Sequence, residues 1–478
     1  MIDARMLQHD FDEEAEGFSR PPRRQKPSHG TLVGRVALAA IALAITELVL
    51  GATAGSPWDL PAMLVAGWTV LGAATAVYFW DRYRTQSEGI RHDGVFFDHI
   101  SARGLSAWLL GVGLTGFYVL LYWFPGQLSR VIDLVDPLSR MLTGQPADQW
   151  FLYGFLYTVA VLVFGVRMFG KYRHSRYHQI RTASVMFFQL GFAFLLPQIL
   201  KAFNEPEFYF TYFWPLKPEY LWPAGAGMGW ILDSGRLGVF MIFWGAIATF
   251  VLTPILTYRY GKRWYCSWVC GCGGLAETMG DPFRQLSSKS TLSWKVERAI
   301  IYPVLALVTV TTVSLWIDFA TEGGLFGSLS SSLREWYGFY IGALFAGVIG
   351  VGFYPILGSR VWCRFGCPMA AILGIFQKFA SRFRITTNGD QCMSCGNCST
   401  YCEMGIDVRA YAQRGENIVR ASCVGCGVCA AVCPRGVLKL ENGGDVTARY
   451  PGADRPLDEF LTSLRNDPSA GRYDNESR

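Results

Sequence analysis

The sequence predicts an α-helical polytopic membrane protein closed by a small α+β domain at its C-terminus. Three observations carry that reading. The 478 residues are 51% hydrophobic and only 17% charged, with 16 tryptophans, a balance too apolar for a soluble chain of this length. Apolar runs of about 20 residues, the length that crosses the hydrocarbon core of a bilayer, recur eight times in the first three quarters of the chain. Beyond them the chain turns polar and sets eight cysteines between Cys392 and Cys433.

Residues 1–29 hold an acidic patch (Asp10, Asp12, Glu13, Glu14, Glu16), then a basic one (Arg20, Arg23, Arg24, Lys26), with no apolar h-region. They read as a disordered cytoplasmic tail, not a signal peptide. About five spans fill residues 30–202 and the rest fall in 203–385. The runs lie near 31–53, 58–80, 105–124, 150–169, 183–201, 237–257, 299–317 and 337–357. Lys and Arg concentrate in 81–104, 167–182 and 258–298 and after the last run, whereas 54–57, 125–149, 202–236 and 318–336 are poorer in them. By the positive-inside rule both termini then lie in the cytoplasm of a bacterial inner membrane. The net charge of +6 accordingly reads as topology signal and not as a nucleic-acid surface. The aromatic stretch 202–236 reads as an interface belt, and Met369 to Phe383 as an amphipathic helix lying at the interface. Residues 386–441 form the C-terminal domain, and 442–478 a flexible polar tail.

The eight cysteines form two runs, Cys392-x2-Cys395-x2-Cys398-x3-Cys402 and Cys423-x2-Cys426-x2-Cys429-x3-Cys433-Pro434. This is the spacing of a bacterial two-cluster ferredoxin, in which a tight loop supplies three thiolates to a [4Fe–4S] cube and the other run supplies the fourth. One cluster is assigned to Cys392, Cys395, Cys398 and Cys433, the other to Cys423, Cys426, Cys429 and Cys402. Paired zinc sites prefer two Cys-x2-Cys pairs with a longer spacer, and a disulfide framework needs an oxidising compartment. One departure is visible, since Glu403 stands where the motif has proline.

A second constellation is a repeat. Gly261-Lys-Arg263-Trp-Tyr-Cys266-x3-Cys270 follows the sixth run, and Gly358-Ser-Arg360-Val-Trp-Cys363-x3-Cys367-Pro368 follows the eighth. Two spans separate them, so both emerge on one face, and internal repeats of this kind often meet around a shared site. A Cys-x3-Cys pair on a helix sets both sulfurs on one side a turn apart. Cys266, Cys270, Cys363 and Cys367 are therefore candidates for a third iron–sulfur cluster, for another thiophilic metal such as copper, or for redox dithiols. The bland alternative is small buried hydrophobes near helix ends. Cys272 breaks the symmetry and reads as a packing residue.

The remaining signals are weaker. His174 and His178, in a basic loop, read as facing headgroups or a partner, and His92 and His99 sit in another loop. No run carries a histidine near its centre, so haem is not expected. Glu47 lies inside the first run, where an intramembrane carboxyl is a proton-relay candidate or snorkels to water. Gly51-Ala-Thr53 matches only the end of a flavinylation motif, with Leu50 where serine is needed. No dinucleotide fingerprint or P-loop is present.

With spans, paired Cys-x3-Cys motifs and a two-cluster ferredoxin in this order, residues 237–440 resemble the membrane polyferredoxins of the NapH and NosR type and, more distantly, CcoG. Gly271 departs from the proline that follows Cys367, and the flavin domain of NosR is absent. The resemblance implies a relay of electrons between the quinone pool and a redox protein partner, with quinone as a further ligand and lipid around the helices. Two alternatives stay open: a metal-reducing or metal-delivering assembly factor, and a membrane redox sensor.

Overall fold

A computed structural model of the chain describes residues 31–442, apart from 54–60, 85–102, 218–220, 222–230, 232–233, 322–324, 327 and 389–390. The two expected tails, and His92 and His99, lie outside the described residues.

Long stretches of Leu, Val, Ile, Ala and Phe away from water can satisfy their backbone only as helices. Among the described residues seven helices are long and apolar enough to cross a membrane: α1 Leu32–Thr53, α2 Pro61–Arg84, α3 Leu105–Trp123, α4 Gln149–Lys171, α5 Arg176–Ala202, α6 Gly235–Tyr260 and α7 Thr291–Ala320. Their outer faces expose Leu43, Leu109, Phe243 and Val310, the inverse of a soluble protein. The chain is a multi-pass membrane protein.

The eighth expected span is present as α8, a continuous helical run made of Ser328–Trp336, Tyr337–Ile349 and Gly350–Gly352. Its serine-rich first turns make it less apolar than the other seven. It runs antiparallel to α3 over that helix's length. Phe339 packs on Trp123, Gly347 faces Tyr118 and Tyr122, Gly352 faces Thr115, and Arg103 donates to the Ile356 carbonyl at 2.9 Å.

Connections tie alternate helix ends together. Thr31 before α1 bonds Asp81 near the end of α2, Arg103 before α3 donates to Leu286 O, and Lys171 at the end of α4 pairs with Asp281. Among the described residues, the flanks of these basic stretches thus gather at one end of the bundle, the end that carries the C-terminal domain.

Two expectations about the connections are corrected. The first cysteine hairpin does not stay at the bundle end but folds back into it. Ser184 Oγ donates to Trp268 O at 3.0 Å, Gly274 packs on Val185, and Gly271 packs on Gln189, midway along α5. The second hairpin also turns inward, with Gly366 against Phe345 of α8. From the opposite end, the aromatic segment 208–216 is drawn in rather than left as an interface belt. Tyr265 Oη donates to Thr211 O at 2.6 Å, Trp214 Nε1 to Thr312 Oγ1 at 3.1 Å, and Trp244 Nε1 to Phe210 O at 2.9 Å. Non-helical backbone at this depth needs protein partners, and these side chains supply them. Three of the long helices, α5, α6 and α8, widen into π-helical turns at Phe188–Leu195, Ala248–Leu252 and Tyr337–Ile349, as helices do where they border functional sites.

Helix α9, Pro368–Phe379, is clamped between bundle and C-terminal domain instead of lying flat at the interface. Met369, Ala370, Leu373 and Gly374 are buried, and Gln377 Nε2 donates to Arg420 O and Cys423 O at 2.8 and 2.7 Å. Ile375, Phe376, Lys378 and Phe379 face outward. The C-terminal domain is closed by β1 Arg384–Thr387 antiparallel to β2 Leu438–Glu441, Arg384 opposite Glu441.

Candidate metal centres

Each cysteine run of the C-terminal domain bends at the same place. Gly396 (φ 79°) and Gly427 (φ 81°) take the left-handed conformation before the short helices Asn397–Thr400 and Val428–Ala431, a conformation that favours glycine. The bend turns the third cysteine of each run toward the first two. Cys392, Cys395, Cys398 and Cys433 line one pocket, capped by Pro434 and Arg435. Cys429, from the other run, lies within electrostatic reach of Cys426, Cys423 and Cys402; burial and these neighbours push its thiol well above the ordinary range. Each fourth cysteine accepts a backbone N–H, Ile406 N to Cys402 Sγ at 3.4 Å and Val437 N to Cys433 Sγ at 3.3 Å. None of the thirteen cysteines is joined in a disulfide. Four converging thiols with N–H donors at sulfur suit a cubane cluster, whose potential depends on such bonds.

The quartet is built from two copies of one backbone design. Gly261 (φ 67°) and Gly358 (φ 97°) open the hairpins with positive φ. The cysteine pair is not one turn of a single helix, as expected. The first cysteine sits in a short turn, Arg263–Cys266 or Trp362–Gly366, and the second is the N-cap of the next helix, Gly271–Glu277 or α9. This explains the Gly271 departure. The first position of a helix tolerates proline, but here it abuts Gln189, and even a Cβ would stand 2.9 Å from Gln189 Oε1. The four thiols gather in one buried core. Burial, then Cys363, Cys266 and Cys270, push Cys367 well above the ordinary range, and burial foremost pushes Cys266 up to about 12. Cys270 is lowered to about 7, chiefly by the neighbouring Cys272 thiol.

Between the quartet and the C-terminal domain lies a buried charge lattice that sequence reasoning missed. Asp281 pairs with Arg167, Lys171 and Arg284 at 2.8, 2.7 and 3.0 Å. Glu277 pairs with Arg181 and Arg360 at 2.6 and 2.7 Å. Glu403 pairs with Arg360 and Arg284 at 3.1 and 3.3 Å. All eight side chains are at most 3% exposed. Burial works against charge on Glu403, but Arg360 and Arg284 outweigh it and hold the carboxyl at about 2. The proline-to-glutamate departure at 403 thus has a structural role. Five cations face three carboxylates, a surplus of positive charge where thiolates gather. These five are among the residues expected to be topology signals, and they are instead buried pairs; Arg173, Arg176, Arg259, Lys295, Arg298, Lys378 and Arg382 remain exposed at that end.

The lattice and the first hairpin hold the second cysteine run against the quartet. Ser267 Oγ, beside Cys266, donates to Val424 O at 2.9 Å, Tyr177 Oη to Gly425 O at 2.9 Å, and Lys262 Nζ to Ala421 O at 3.2 Å; Arg181 donates to Cys426 O. Arg360 Nη1 reaches Cys363 Sγ at 3.7 Å and Cys266 O at 3.1 Å. Cys392, Cys395 and Cys433 are partly exposed, and Met393 beside them is 57% exposed. His178 does not face headgroups: it is buried, stacked on Tyr172 at 4.6 Å and bonded to Ser175 Oγ at 2.8 Å. The Glu47 carboxyl packs against Gly67 of α2.

The 4Fe-4S dicluster domain family matches residues 391–438, and the 4Fe-4S binding domain family matches twice, at 242–290 and 339–386, once over each hairpin. The Escherichia coli protein named "Putative electron transport protein YccM" is 25% identical over 171 residues, 31% of this chain and 43% of that protein. The Methanocaldococcus jannaschii protein MJ0750, named uncharacterized, is 28% identical over 192 residues, 37% of this chain and 73% of that protein. The chain thus spans less than half of the first of these relatives. No solved structure matches. The family matches and the long apolar helices make the chain a multi-pass membrane protein that carries 4Fe-4S domains.

Proposed function

We propose that the chain relays electrons between the quinone pool and a redox protein partner, through two [4Fe–4S] clusters in the C-terminal domain and a third iron–sulfur centre on Cys266, Cys270, Cys363 and Cys367. The observation that carries the reading is the contact of the quartet with the second cysteine run, through Ser267, Arg360 and Arg181. It makes one series of thiol sites, from the middle of the helix bundle to the exposed edge at Cys392. Iron–sulfur centres supply one-electron steps over a wide span of potential. What the chain itself does is fix the spacing, exclude water from the quartet and neutralise thiolate charge with Arg360.

Of the metals a thiolate quartet can hold, iron–sulfur is favoured over copper because the 4Fe-4S binding domain match covers both hairpins. The redox-sensor alternative has no observation in its favour. The ring of exposed bases at the domain-bearing end supports a cytoplasmic position for that end in a bacterial inner membrane. Anaerobic purification with iron and sulfide analysis tests the reading. Twelve irons per chain, about four for each cube, with signals reduced on adding a quinol, would support it. About eight irons, with Cys363→Ala leaving the count unchanged, would remove the third centre. Clusters that no quinol reduces would remove the quinone link.

A further inference from the structure

The end of α9 carries a patch that the relay does not use. Phe379 is 77% exposed, and Ile375 and Phe376 are exposed beside it. Apolar side chains of this size, turned outward on an otherwise clamped helix, mark a surface that something covers. Their height in the fold indicates what it is. Arg382 N donates to Tyr258 O at 2.7 Å and Ser381 Oγ to the same carbonyl at 3.3 Å, which pins the end of α9 to the last turn of α6. From that turn the outer face of α6, a membrane-spanning helix, runs on through Tyr258, Ile255 and Phe250, each more than half exposed. The apolar edge of α9 therefore stands at the rim of a lipid-facing surface. The bases at this rim are unpaired. Arg259, Lys378 and Arg382 are exposed and make no ion pair among the described residues. They lie against aromatic rings, Arg382 6.0 Å from the centre of Tyr258, Arg259 5.5 Å from Tyr260 and Lys378 5.1 Å from Phe379. No Asp or Glu occurs in 234–276 or 336–389, the two stretches that build the patch, so nothing in them neutralises the three charges.

We propose that Arg259, Lys378 and Arg382 hold the headgroup of an anionic phospholipid whose acyl chains lie along α6, with Phe376 and Phe379 inserted beside them. Unpaired bases over an apolar rim match that chemistry, a phosphate with hydrocarbon beneath it. The site is independent of what the thiols bind and goes beyond the relay reading. Its consequence follows from the rest of the helix. α9 is capped by Cys367, and its Gln377 holds the carbonyls of Arg420 and Cys423. A lipid seated at Lys378 and Arg382 thus braces the helix that joins the quartet to the second cysteine run.

The test uses the full chain, purified in detergent and titrated with phosphatidylglycerol or phosphatidylcholine. Native mass spectrometry reads the half-saturating concentration of the first bound lipid, and amide hydrogen exchange reads where it binds. Wild type should take phosphatidylglycerol about tenfold more tightly than phosphatidylcholine, and only phosphatidylglycerol should slow exchange over 374–382, the end of α9 and the turn after it. Arg259→Gln/Lys378→Gln/Arg382→Gln should bring the two lipids within about twofold of each other, with iron content unchanged. Lys378→Gln alone should weaken phosphatidylglycerol about fivefold, the factor that ~1 kcal/mol represents, and decides should the triple variant fail to fold. Arg173→Gln/Arg176→Gln, which removes bases at the start of α5, should leave the preference intact. A wild type that binds both lipids alike, or a preference that survives loss of the three bases, would overturn the site. Protection by phosphatidylglycerol that spares 374–382 and falls elsewhere would overturn it too.

Discussion

Arg360 Nη1 stands 3.7 Å from Cys363 Sγ, while Nη2 of the same guanidinium is 3.1 Å from Glu403, the residue after Cys402. One buried cation therefore serves two thiol sites. Arg360→Gln removes positive charge beside Cys363, so a centre held there becomes harder to reduce. A loss of ~1.4 kcal/mol lowers a one-electron midpoint by about 60 mV, which a redox titration followed by electron paramagnetic resonance would detect. Arg360→Lys keeps the charge and should recover most of the shift. An unmoved midpoint in Arg360→Gln would mean that no redox centre sits at Cys363.

Asp281 is shared by Arg167, Lys171 and Arg284. Asp281→Asn removes the buried carboxylate that these three cations share, a loss on the order of 3–5 kcal/mol that would appear as a lower thermal unfolding midpoint in detergent. Burial opposes its charge, but Lys171, Arg167 and Arg284 hold the carboxyl far below the usual range. A depressed carboxyl contributes fully above its unfolded value near about pH 4 and loses that contribution only as the pH falls further. The gap between wild type and Asp281→Asn should accordingly stay constant from pH 8 to pH 5, roughly the window above that value.

Two serine variants test the crossed supply of fourth ligands expected from the cysteine spacing. Cys433→Ser should disturb the cluster of Cys392, Cys395 and Cys398, and Cys402→Ser that of Cys423, Cys426 and Cys429, each lowering iron by about four per chain. Mössbauer or paramagnetic resonance spectra of the two variants would then differ, because only the second cluster adjoins the charge lattice. Spectra that followed sequence order instead, with Cys433→Ser disturbing the second run, would reject the crossing.

Glu403→Pro restores the usual motif residue yet should destabilise this chain. It removes the carboxylate between Arg284 and Arg360, and the penalty should exceed that of Asp407→Asn, which weakens a partly exposed cap. Paired denaturation curves decide it.

What the sequence discloses and what it hides divide along physical lines. The cysteine runs are legible because ligands inside a tight loop are local, and their spacing is fixed by the size of what they wrap. The long helices are legible because apolar length is local too, α8 included despite its serines. The lattice is not legible. Arg167, Lys171, Arg181, Arg284 and Arg360 stand in five places along the chain, and nothing in a loop's composition tells a base paired under a domain from one facing headgroups. The inward turn of the hairpins is hidden for the same reason, since it depends on Ser184, Tyr265 and Trp214 finding backbone carbonyls and hydroxyls far away in sequence. The one local clue is Gly271, where a helix start that could carry proline carries nothing.

The inward-folded hairpin also has an electrical consequence. Gly271 lies beside the midpoint of α5, so a centre held by the neighbouring Cys270 would stand at a different depth in the membrane from the C-terminal domain. An elementary charge crossing the whole bilayer exchanges about 2.3 kcal/mol with each 100 mV of membrane potential. An electron covering part of that path feels a corresponding part of the voltage, and the cell's energised state would then bias which way electrons run through the chain.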